Sequence, residues 1–149
     1  MKRKFLFPGT FDPFTIAHDA IVKRALSFAD EIIIAIGINQ QKKTLFTLER
    51  RIDFIKQLYI EEDRISVTSY DTLTIDFAIK RDVNFILRGV RNYNDFEYEK
   101  GMSEFNRKLT DIDTVILISE PEFAHVTSTL VRELISQKQY FESFIPQLK

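Results

Sequence analysis

Short apolar runs alternate with amphipathic stretches along the whole chain. Runs of branched and aromatic residues, bounded by polar or turn residues, predict strands. Five such runs lie at residues 4–7, 31–38, 65–70, 84–87 and 114–118, and Pro8-Gly9 is expected to end the first. Apolar residues at helical spacing predict helices between them. These helices are expected from residue 19, at 48–59 after a Thr47 cap, at 75–80, at about 95–109 and at 128–136.

The alternation of strand and helix predicts the fold class. Repeated βαβ units have right-handed crossovers and give a parallel sheet that is covered on both faces. We therefore expect one α/β domain over residues 1–149, with a five-stranded parallel sheet and helices on both faces. Aromatic and apolar residues in the tail, residues 140–148, predict that it packs against the domain.

Composition limits the function classes. The net charge is −1, which disfavours the strongly basic face of a nucleic-acid-binding protein. There are no cysteines, so thiol catalysis and disulfides are excluded and a reducing compartment is favoured. No apolar run is long enough for a membrane span, and Pro8-Gly9 interrupts the first run too early for a signal peptide. We expect a cytoplasmic protein that contacts neither nucleic acid nor membrane.

The loop after the first strand carries the clearest chemical signal. Gly9 permits close backbone approach, Thr10 supplies a hydroxyl, and His18 falls in the first turn of the next helix. A strand end followed by a helix N-terminus forms an anion site, because unpaired N–H groups point at the ligand. An ordinary strand-loop-helix with a surface histidine explains the same residues, so this stretch alone does not decide between the two.

Other chemically active side chains follow the ends of the later strands. Their loops contain Lys42-Lys43, residues 71–74, residues 88–91 and residues 124–129. In open α/β sheets the ligand binds beyond the carboxyl ends of the strands, so these loops are expected to converge. The set consists of cations and hydroxyls, without a carboxylate pair, a catalytic triad or a metal cluster. Such donors suit several phosphates at once, and phosphoryl or nucleotidyl transfer depends mainly on positioning and charge neutralisation.

Each of these motifs also has a plain structural explanation. Arg88 and Arg91 could pair with Asp95, Glu97 or Glu99 on the next helix. Hydroxyls at the start of the last helix are ordinary caps. Lys42-Lys43 could be a solvated loop tip, and His125 has no evident partner in the sequence.

Seven motifs in register resemble one family. They are Pro8-Gly9-Thr10-Phe11-Asp12-Pro13 with His18, Lys42-Lys43, Phe46-Thr47-Leu48-Glu49-Arg50, Arg88-Gly89-Val90-Arg91, Asp95-Phe96-Glu97-Tyr98-Glu99, Asn106-Arg107 and Val126-Thr127-Ser128-Thr129. Together they resemble bacterial phosphopantetheine adenylyltransferases. The first and last motifs are shared with the wider nucleotidyltransferase superfamily, and the Arg-Gly-x-Arg and Asp-Phe-Glu-Tyr-Glu motifs narrow the resemblance to this family.

The resemblance implies a Rossmann-like nucleotidyltransferase fold and a reaction. ATP and 4′-phosphopantetheine would give dephospho-coenzyme A and pyrophosphate, with Mg²⁺ as cofactor, by in-line attack of the acceptor phosphate. It further implies a homohexamer, and coenzyme A as a feedback inhibitor in some members.

The resemblance also assigns roles to residues. His18 matches the catalytic transition-state stabiliser, and Thr10, Lys42, Thr74 and Arg88 match substrate-binding positions. The matching ATP-binding positions are Thr10, Phe11, His18, Gly89, Val90, Arg91, Glu99, Phe123, Ala124, His125, Val126, Thr127, Ser128 and Thr129. The direct metal ligands are not assigned. Two residues depart from the family pattern. The family usually has glycine at the position of Ala17 and an apolar residue at the position of Thr74.

Three alternatives share part of this pattern. Another small nucleotidyltransferase, acting on nicotinamide mononucleotide or glycerol phosphate, would share Thr10, His18 and the last motif. A sensor of nucleotides or coenzyme A could use the same fold without catalysis. A flavodoxin-like binding protein is a third, although no clear aromatic sandwich lies in the relevant loops.

Overall fold

The computed structural model describes residues 1–149 and contains one five-stranded sheet. The strands are β1 (Lys4–Gly9), β2 (Glu31–Gly37), β3 (Ile65–Tyr70), β4 (Phe85–Val90) and β5 (Asp113–Ile118). They pair in the order β3-β2-β1-β4-β5, and every pair is parallel. The expected five-stranded parallel sheet is confirmed. The order reverses between β1 and β4, where the crevice of such a sheet lies.

Five α-helices connect and flank the strands. They are α1 (Ile16–Ala25), α2 (Leu48–Leu58), α3 (Thr74–Lys80), α4 (Tyr93–Leu109) and α5 (Ser128–Ser136), and 3₁₀ turns lie at Pro121–Phe123 and Glu142–Phe144. Side-chain oxygens cap four of the α-helices by accepting a backbone N–H, as helix starts require. The capping residues are Thr15, Thr47, Asn92 and Thr127. None of the helices combines the length and the apolar character that a membrane crossing requires.

The sheet separates two apolar cores. Alternate residues of a strand face opposite sides of a sheet, so Phe5 and Phe7 of β1 lie in one core and Leu6 lies in the other. α1 and α2 pack on the first face, through Ile21 and Ile55 among others. α3 packs on the second face through Phe77 and its neighbours. Helices therefore cover both faces, as expected.

The first strand is longer than the pattern predicts. Pro8-Gly9 was expected to end it, but β1 continues to Gly9 in pairing with β2. Proline is tolerated in this central strand because β1 and β4 pair only from Phe5–Phe85 to Leu6–Ile86. Beyond Leu6 the Pro8 carbonyl accepts a hydrogen bond from the Arg88 side chain instead.

The fourth strand is also longer than predicted. Residues 88–91 were expected to form a loop after a strand at 84–87, but β4 runs to Val90. The ladder to β5 continues through Arg88–Ile116, Gly89–Leu117 and Val90–Ile118. The charged Arg88 was wrongly predicted to lie outside the strand. Its side chain lies in the crevice, but its backbone stays paired with β5.

The tail packs in part. Phe141 and Ile145 line an apolar pocket together with Phe11 and Phe14, so this part of the tail contacts the domain as predicted. Tyr140, which was expected to pack too, is 71% exposed.

Candidate functional site

Two clefts open at the carboxyl ends of the strands and share one wall. The His18 cleft, about 320 Å³, is lined by the end of β1, the start of α1, Arg91 and the start of α5. The Tyr70 cleft, about 340 Å³, lies beside the ends of β2 and β3 and α4, and includes Tyr70 and Thr74. Pro8, Gly9, Thr10 and Arg88 line both clefts. Molecules in the two clefts would therefore meet at this wall.

His18 is held in a defined tautomer. It is the third residue of α1, and its Nδ1 accepts the backbone N–H of the capping residue Thr15 at 2.9 Å. A backbone N–H can only donate, so Nδ1 carries no proton and the neutral ring carries its proton on Nε2. The ring packs among Phe11 and Phe14, which fix its orientation. His18 is thus a neutral Nε2–H donor in the cleft.

The surroundings keep His18 neutral. Burial first, and then the positive charges of Arg88 and Arg91, lower the pKa of His18 to about 4. A neutral imidazole that already donates costs no proton transfer when negative charge develops nearby. An anionic ligand in this cleft would offset the arginine charges and raise the pKa of His18 again.

Arg88 is held by two acceptors on the shared wall. Its Nε and Nη2 donate to the carboxylate of Glu99 at 3.0 and 2.7 Å, and its Nη1 donates to the Pro8 carbonyl at 2.8 Å. Glu99 is the only buried residue of α4. The Glu99 side chain lines the Tyr70 cleft and not the His18 cleft. Glu99, which was predicted to bind ATP, thus lines the cleft that contains Thr74 and not the cleft of His18.

Two further cations that the sequence predicted line the His18 cleft. Arg91 forms an ion pair with Asp95, at 2.9 Å between Nε and Oδ2, and it also lines the cleft. The Arg91 guanidinium in turn holds the pKa of Asp95 below its usual range. Lys42 lines the same cleft, and its Nζ lies 3.4 Å from the Thr10 hydroxyl. The wall at Thr10 therefore has Lys42 and Arg88 close to it.

The start of α5 closes the far side of the His18 cleft. Thr127 caps the helix by accepting the Leu130 N–H, and the Ser128 hydroxyl donates to the Pro13 carbonyl at 2.8 Å. The capping explanation is therefore correct for Thr127 but not for Ser128, which binds a loop carbonyl instead. The first-turn N–H groups of the helix have no intrahelical acceptors and favour an anion. Capping by Thr127 and binding of an anion at the first turn of α5 are therefore compatible in one structure.

Several residues at the site were not found by sequence reasoning. Arg132 lines the His18 cleft and donates to the Asp12 carbonyl at 2.8 Å. Asp12 and Arg51 are buried beneath the wall, where they bind backbone groups. Arg132 follows Thr129 at helical spacing, which could have placed it on the same helix face, whereas backbone-binding roles leave no sequence signal.

The predicted site residues fall into three groups. The His18 cleft brings together Thr10, Phe11, His18, Lys42, Arg88, Gly89, Arg91, Val126, Thr127, Ser128 and Thr129. The Tyr70 cleft includes Thr10, Thr74, Arg88 and Glu99. Val90, Phe123, Ala124 and His125 line neither cleft. Val90 is buried in β4, and the His125 ring contacts Phe144, so the assignment of these residues to ATP stays a prediction.

The carboxylates of the two clefts do not form a metal site. No group of three or more His, Cys, Asp or Glu side chains is arranged to hold a metal ion. Asp12 and Glu99 are the acidic residues that line the clefts, and each already accepts N–H donors with both oxygens. The carboxylates that line the clefts are therefore already engaged by N–H donors and do not form a site for a resident Mg²⁺.

Comparisons with known proteins extend these observations. The family model described as cytidylyltransferase-like matches residues 6–134. A phosphopantetheine adenylyltransferase of Bacteroides thetaiotaomicron is 53% identical, over 97% of this chain and 96% of the relative. The protein of the same name from Bacteroides fragilis is 51% identical, over 97% of each chain. That from Flavobacterium johnsoniae is 44% identical, over 97% of this chain and 95% of the relative.

A solved structure supports the fold independently. The lipopolysaccharide core biosynthesis protein from Thermoplasma volcanium superposes with a TM-score of 0.58 at 18% identity, over 78% of this chain and 95% of that chain. At this identity the likeness concerns the fold alone. The fold, the motifs and the full-length relatives agree: the chain belongs to the phosphopantetheine adenylyltransferase family of cytidylyltransferase-like nucleotidyltransferases.

Proposed function

We propose that the protein transfers the adenylyl group of ATP to 4′-phosphopantetheine, giving dephospho-coenzyme A and pyrophosphate. The observation that carries this proposal is the wall shared by two clefts, with Thr10 and Arg88 facing both. A reaction between two phosphorylated substrates needs two binding sites that meet at cationic and hydroxyl donors. Full-length relatives of this name at 42–53% identity support the choice of substrates.

In this proposal each cleft has its own substrate. The His18 cleft takes ATP, because the first turn of α5 places the positive end of the helix there, and because Arg91 and Arg132 add charge. The Tyr70 cleft takes the pantetheine arm along Tyr70, Thr74 and Met102, and its phosphate reaches Arg88 and Thr10. The Tyr70 hydroxyl is hydrogen bonded to the Thr74 hydroxyl at 2.8 Å, so Thr74 presents an engaged polar group there.

The acceptor phosphate then attacks the α-phosphorus of ATP in line, and pyrophosphate leaves. A bond forms between an oxygen of the acceptor phosphate and the α-phosphorus. The bond between the α-phosphorus and the oxygen that bridges it to the β-phosphorus breaks, and this oxygen leaves with pyrophosphate. No general base is needed, since a phosphate monoester with a second pKa of about 6 is largely dianionic at neutral pH. Lys42 and Arg88 hold the nucleophile, and the protein acts through positioning and charge neutralisation.

His18 supplies the interaction that strengthens during the reaction. Its Nε2–H donates to the ATP phosphates as negative charge moves towards the leaving pyrophosphate. The Thr15 N–H at Nδ1 fixes the ring before the substrate arrives, so the donor needs no reorientation. Donors aimed at developing charge contribute about 10²–10³ in turnover.

Further properties of the family complete the proposal. Magnesium enters with ATP, bound by its phosphates, and no step here depends on a protein ligand to the metal. We propose a homohexamer; the exposed apolar residues Phe105 and Leu109 on α4 support association between copies of the chain. Feedback by coenzyme A would follow from its similarity to the product, and a cytoplasmic location suits the cysteine-free sequence.

One experiment tests the activity directly. Purified protein is incubated with ATP, Mg²⁺ and 4′-phosphopantetheine, and the products are identified by mass spectrometry. Dephospho-coenzyme A together with pyrophosphate is the expected result. Parallel reactions with nicotinamide mononucleotide and glycerol phosphate serve as controls, and a product from either of these alone would replace the proposed acceptor. Nucleotide binding without any product would favour a sensor. Analytical ultracentrifugation tests the hexamer.

A further inference from the structure

The segment that carries Lys42 is attached to the domain at very few points. Residues 39–46 contain no helix or strand, and Lys42 itself is exposed. Their hydrogen bonds to the rest of the chain involve only three partner side chains, which are those of Thr10, Asp12 and Arg51. The contact to Thr10 is made by Lys42 at 3.4 Å, so it cannot hold the segment by itself. Asp12 and Arg51 make the remaining bonds.

Asp12 binds the segment with both carboxylate oxygens. Oδ2 accepts the Leu45 N–H at 2.8 Å and Oδ1 accepts the Phe46 N–H at 2.9 Å. The residue is 2% exposed and takes part in none of the ion pairs of the structure. Burial of a carboxylate destabilises the fold unless its oxygens accept hydrogen bonds. The Asp12 carboxylate therefore favours the position in which the Leu45 and Phe46 N–H groups reach it.

Arg51 binds carbonyl groups at the end of the same segment. Its Nε donates to the carbonyls of Phe46 and Thr47, at 3.2 and 3.4 Å, and its Nη1 donates to the Thr10 carbonyl at 2.8 Å. Arg51 is 8% exposed and belongs to α2. One buried guanidinium thus joins the loop of Thr10 to the segment of Lys42.

We propose that Asp12 and Arg51 are positioning residues that fix Lys42 against Thr10. This inference rests on the proposed function, because it assigns Lys42 to the acceptor phosphate. Neither residue touches that phosphate in the proposal. They act through the backbone of residues 45–47, which places Lys42 at the shared wall.

The first test is a double-mutant cycle on acceptor binding. The dissociation constant of 4′-phosphopantetheine is measured by calorimetry for the wild type, Asp12→Asn, Lys42→Ala and the double variant. Asp12→Asn keeps the shape of the side chain but removes one acceptor, and should weaken binding about tenfold, the scale of one hydrogen bond to a charged group. In the Lys42→Ala background the same change should have little effect, because residues that act through one another are not additive.

Controls separate positioning from a general loss of structure. Asp53→Asn, an exposed carboxylate on α2, should leave the dissociation constant at the wild-type value. Arg51→Lys keeps the charge but cannot bridge the two loops, so it should weaken binding as Asp12→Asn does. If Asp12→Asn does not fold, Arg51→Lys takes its place in the cycle. Additive effects, or a wild-type affinity in both Asp12→Asn and Arg51→Lys, would overturn the proposal.

Amide hydrogen exchange tests the same proposal without substrate. In Asp12→Asn the amides of Leu45 and Phe46 should exchange at least tenfold faster than in the wild type, while those of β2 stay protected. Unchanged exchange at both amides would overturn the positioning role even if the wild type bound no phosphopantetheine. That lack of binding would by itself refute only the proposed function, so the two failures are distinguishable.

Discussion

Glu99 fixes Arg88 so that part of the guanidinium is free for a ligand. Two N–H groups of Arg88 bind the Glu99 carboxylate and a third binds the Pro8 carbonyl. A guanidinium has five N–H donors, so two remain. They belong to a group whose plane is already set by the bidentate pair. Arg88 therefore presents a preorganised pair of donors at the wall between the clefts.

Arg88→Ala should raise the Michaelis constant for 4′-phosphopantetheine more than that for ATP. The change removes the donors of the acceptor phosphate and also leaves the buried Glu99 carboxylate unpaired, so an increase of more than tenfold is expected. Steady-state kinetics with each substrate varied in turn measures both constants.

Glu99→Gln is the matched variant for Arg88→Ala. It keeps one acceptor for the guanidinium and should give a smaller increase in the same constant. Equal effects of Arg88→Ala on both substrates would contradict its assignment to the acceptor.

His18→Ala should lower turnover by about 10²–10³, the cost of one donor to developing charge, or about 3–4 kcal/mol. The Michaelis constants should change much less, because the donor acts mainly in the transition state. Pyrophosphate release gives the rate. Thermal unfolding must accompany it, since the variant also leaves the Thr15 N–H without its acceptor. A turnover within twofold of the wild type in a folded variant would refute the catalytic role.

The histidine should also respond to pH in a defined direction. The folded pKa of His18 is about 4, below the ordinary value of 6.5. Between these two values the unfolded chain binds more protons, so the free energy of unfolding should increase as pH rises from about 4 to 6.5. Urea unfolding at several pH values measures this slope, and His18→Ala should reduce it.

Nuclear magnetic resonance can observe the tautomer of His18 directly. The ¹⁵N shifts of the ring should show the Nε2–H form at pH 7 in the protein without substrate, with a midpoint of protonation well below 6.5. His125→Ala identifies the signals, because the chain has two histidines. A protonated Nδ1 at pH 7 would be incompatible with the Thr15 contact.

Tyr59→Phe should destabilise the fold without affecting catalysis. The Tyr59 hydroxyl donates to the buried Asp19 carboxylate at 2.6 Å, outside both clefts, and burial raises the pKa of this hydroxyl far above its usual range. Loss of a hydrogen bond to a charged group should cost about 1.5–3 kcal/mol of unfolding free energy. Urea unfolding measures it, with Tyr140→Phe as the control because Tyr140 is 71% exposed. Equal stabilities of the two variants would contradict this account.

Sequence periodicity predicted the elements well where packing follows the local pattern. β3 and α5 have the predicted bounds, and Thr47 caps α2 as expected. The largest errors lie at the crevice: β1 includes Pro8-Gly9, β4 includes residues 88–90, and α1 begins at Ile16 rather than at residue 19. There a proline and an arginine sit inside strands because β1 and β4 separate at that point. Pairing between distant strands decides such boundaries, and a local pattern does not contain it.

Only the part of the site whose side chains are predicted to contact a ligand could be found from the sequence. Cations and hydroxyls after the strands, such as Lys42, Arg88 and Thr10, are visible because parallel strands bring them to one edge. Both explanations of Arg88 and Arg91 proved compatible, since each forms an ion pair and still lines a cleft. Asp12 and Arg51 were missed because their partners are backbone groups some 30–40 positions away.

The wall shared by the two clefts has a consequence for the product. Dephospho-coenzyme A would fill both clefts with one molecule, so it loses its translational and rotational freedom once, whereas the two substrates lose theirs separately. Once either half is bound, the other half is held at a high effective concentration beside its own cleft. The reaction thus converts two ligands, each bound in one cleft, into one bivalent product bound in both. Release of this product requires both of its halves to leave.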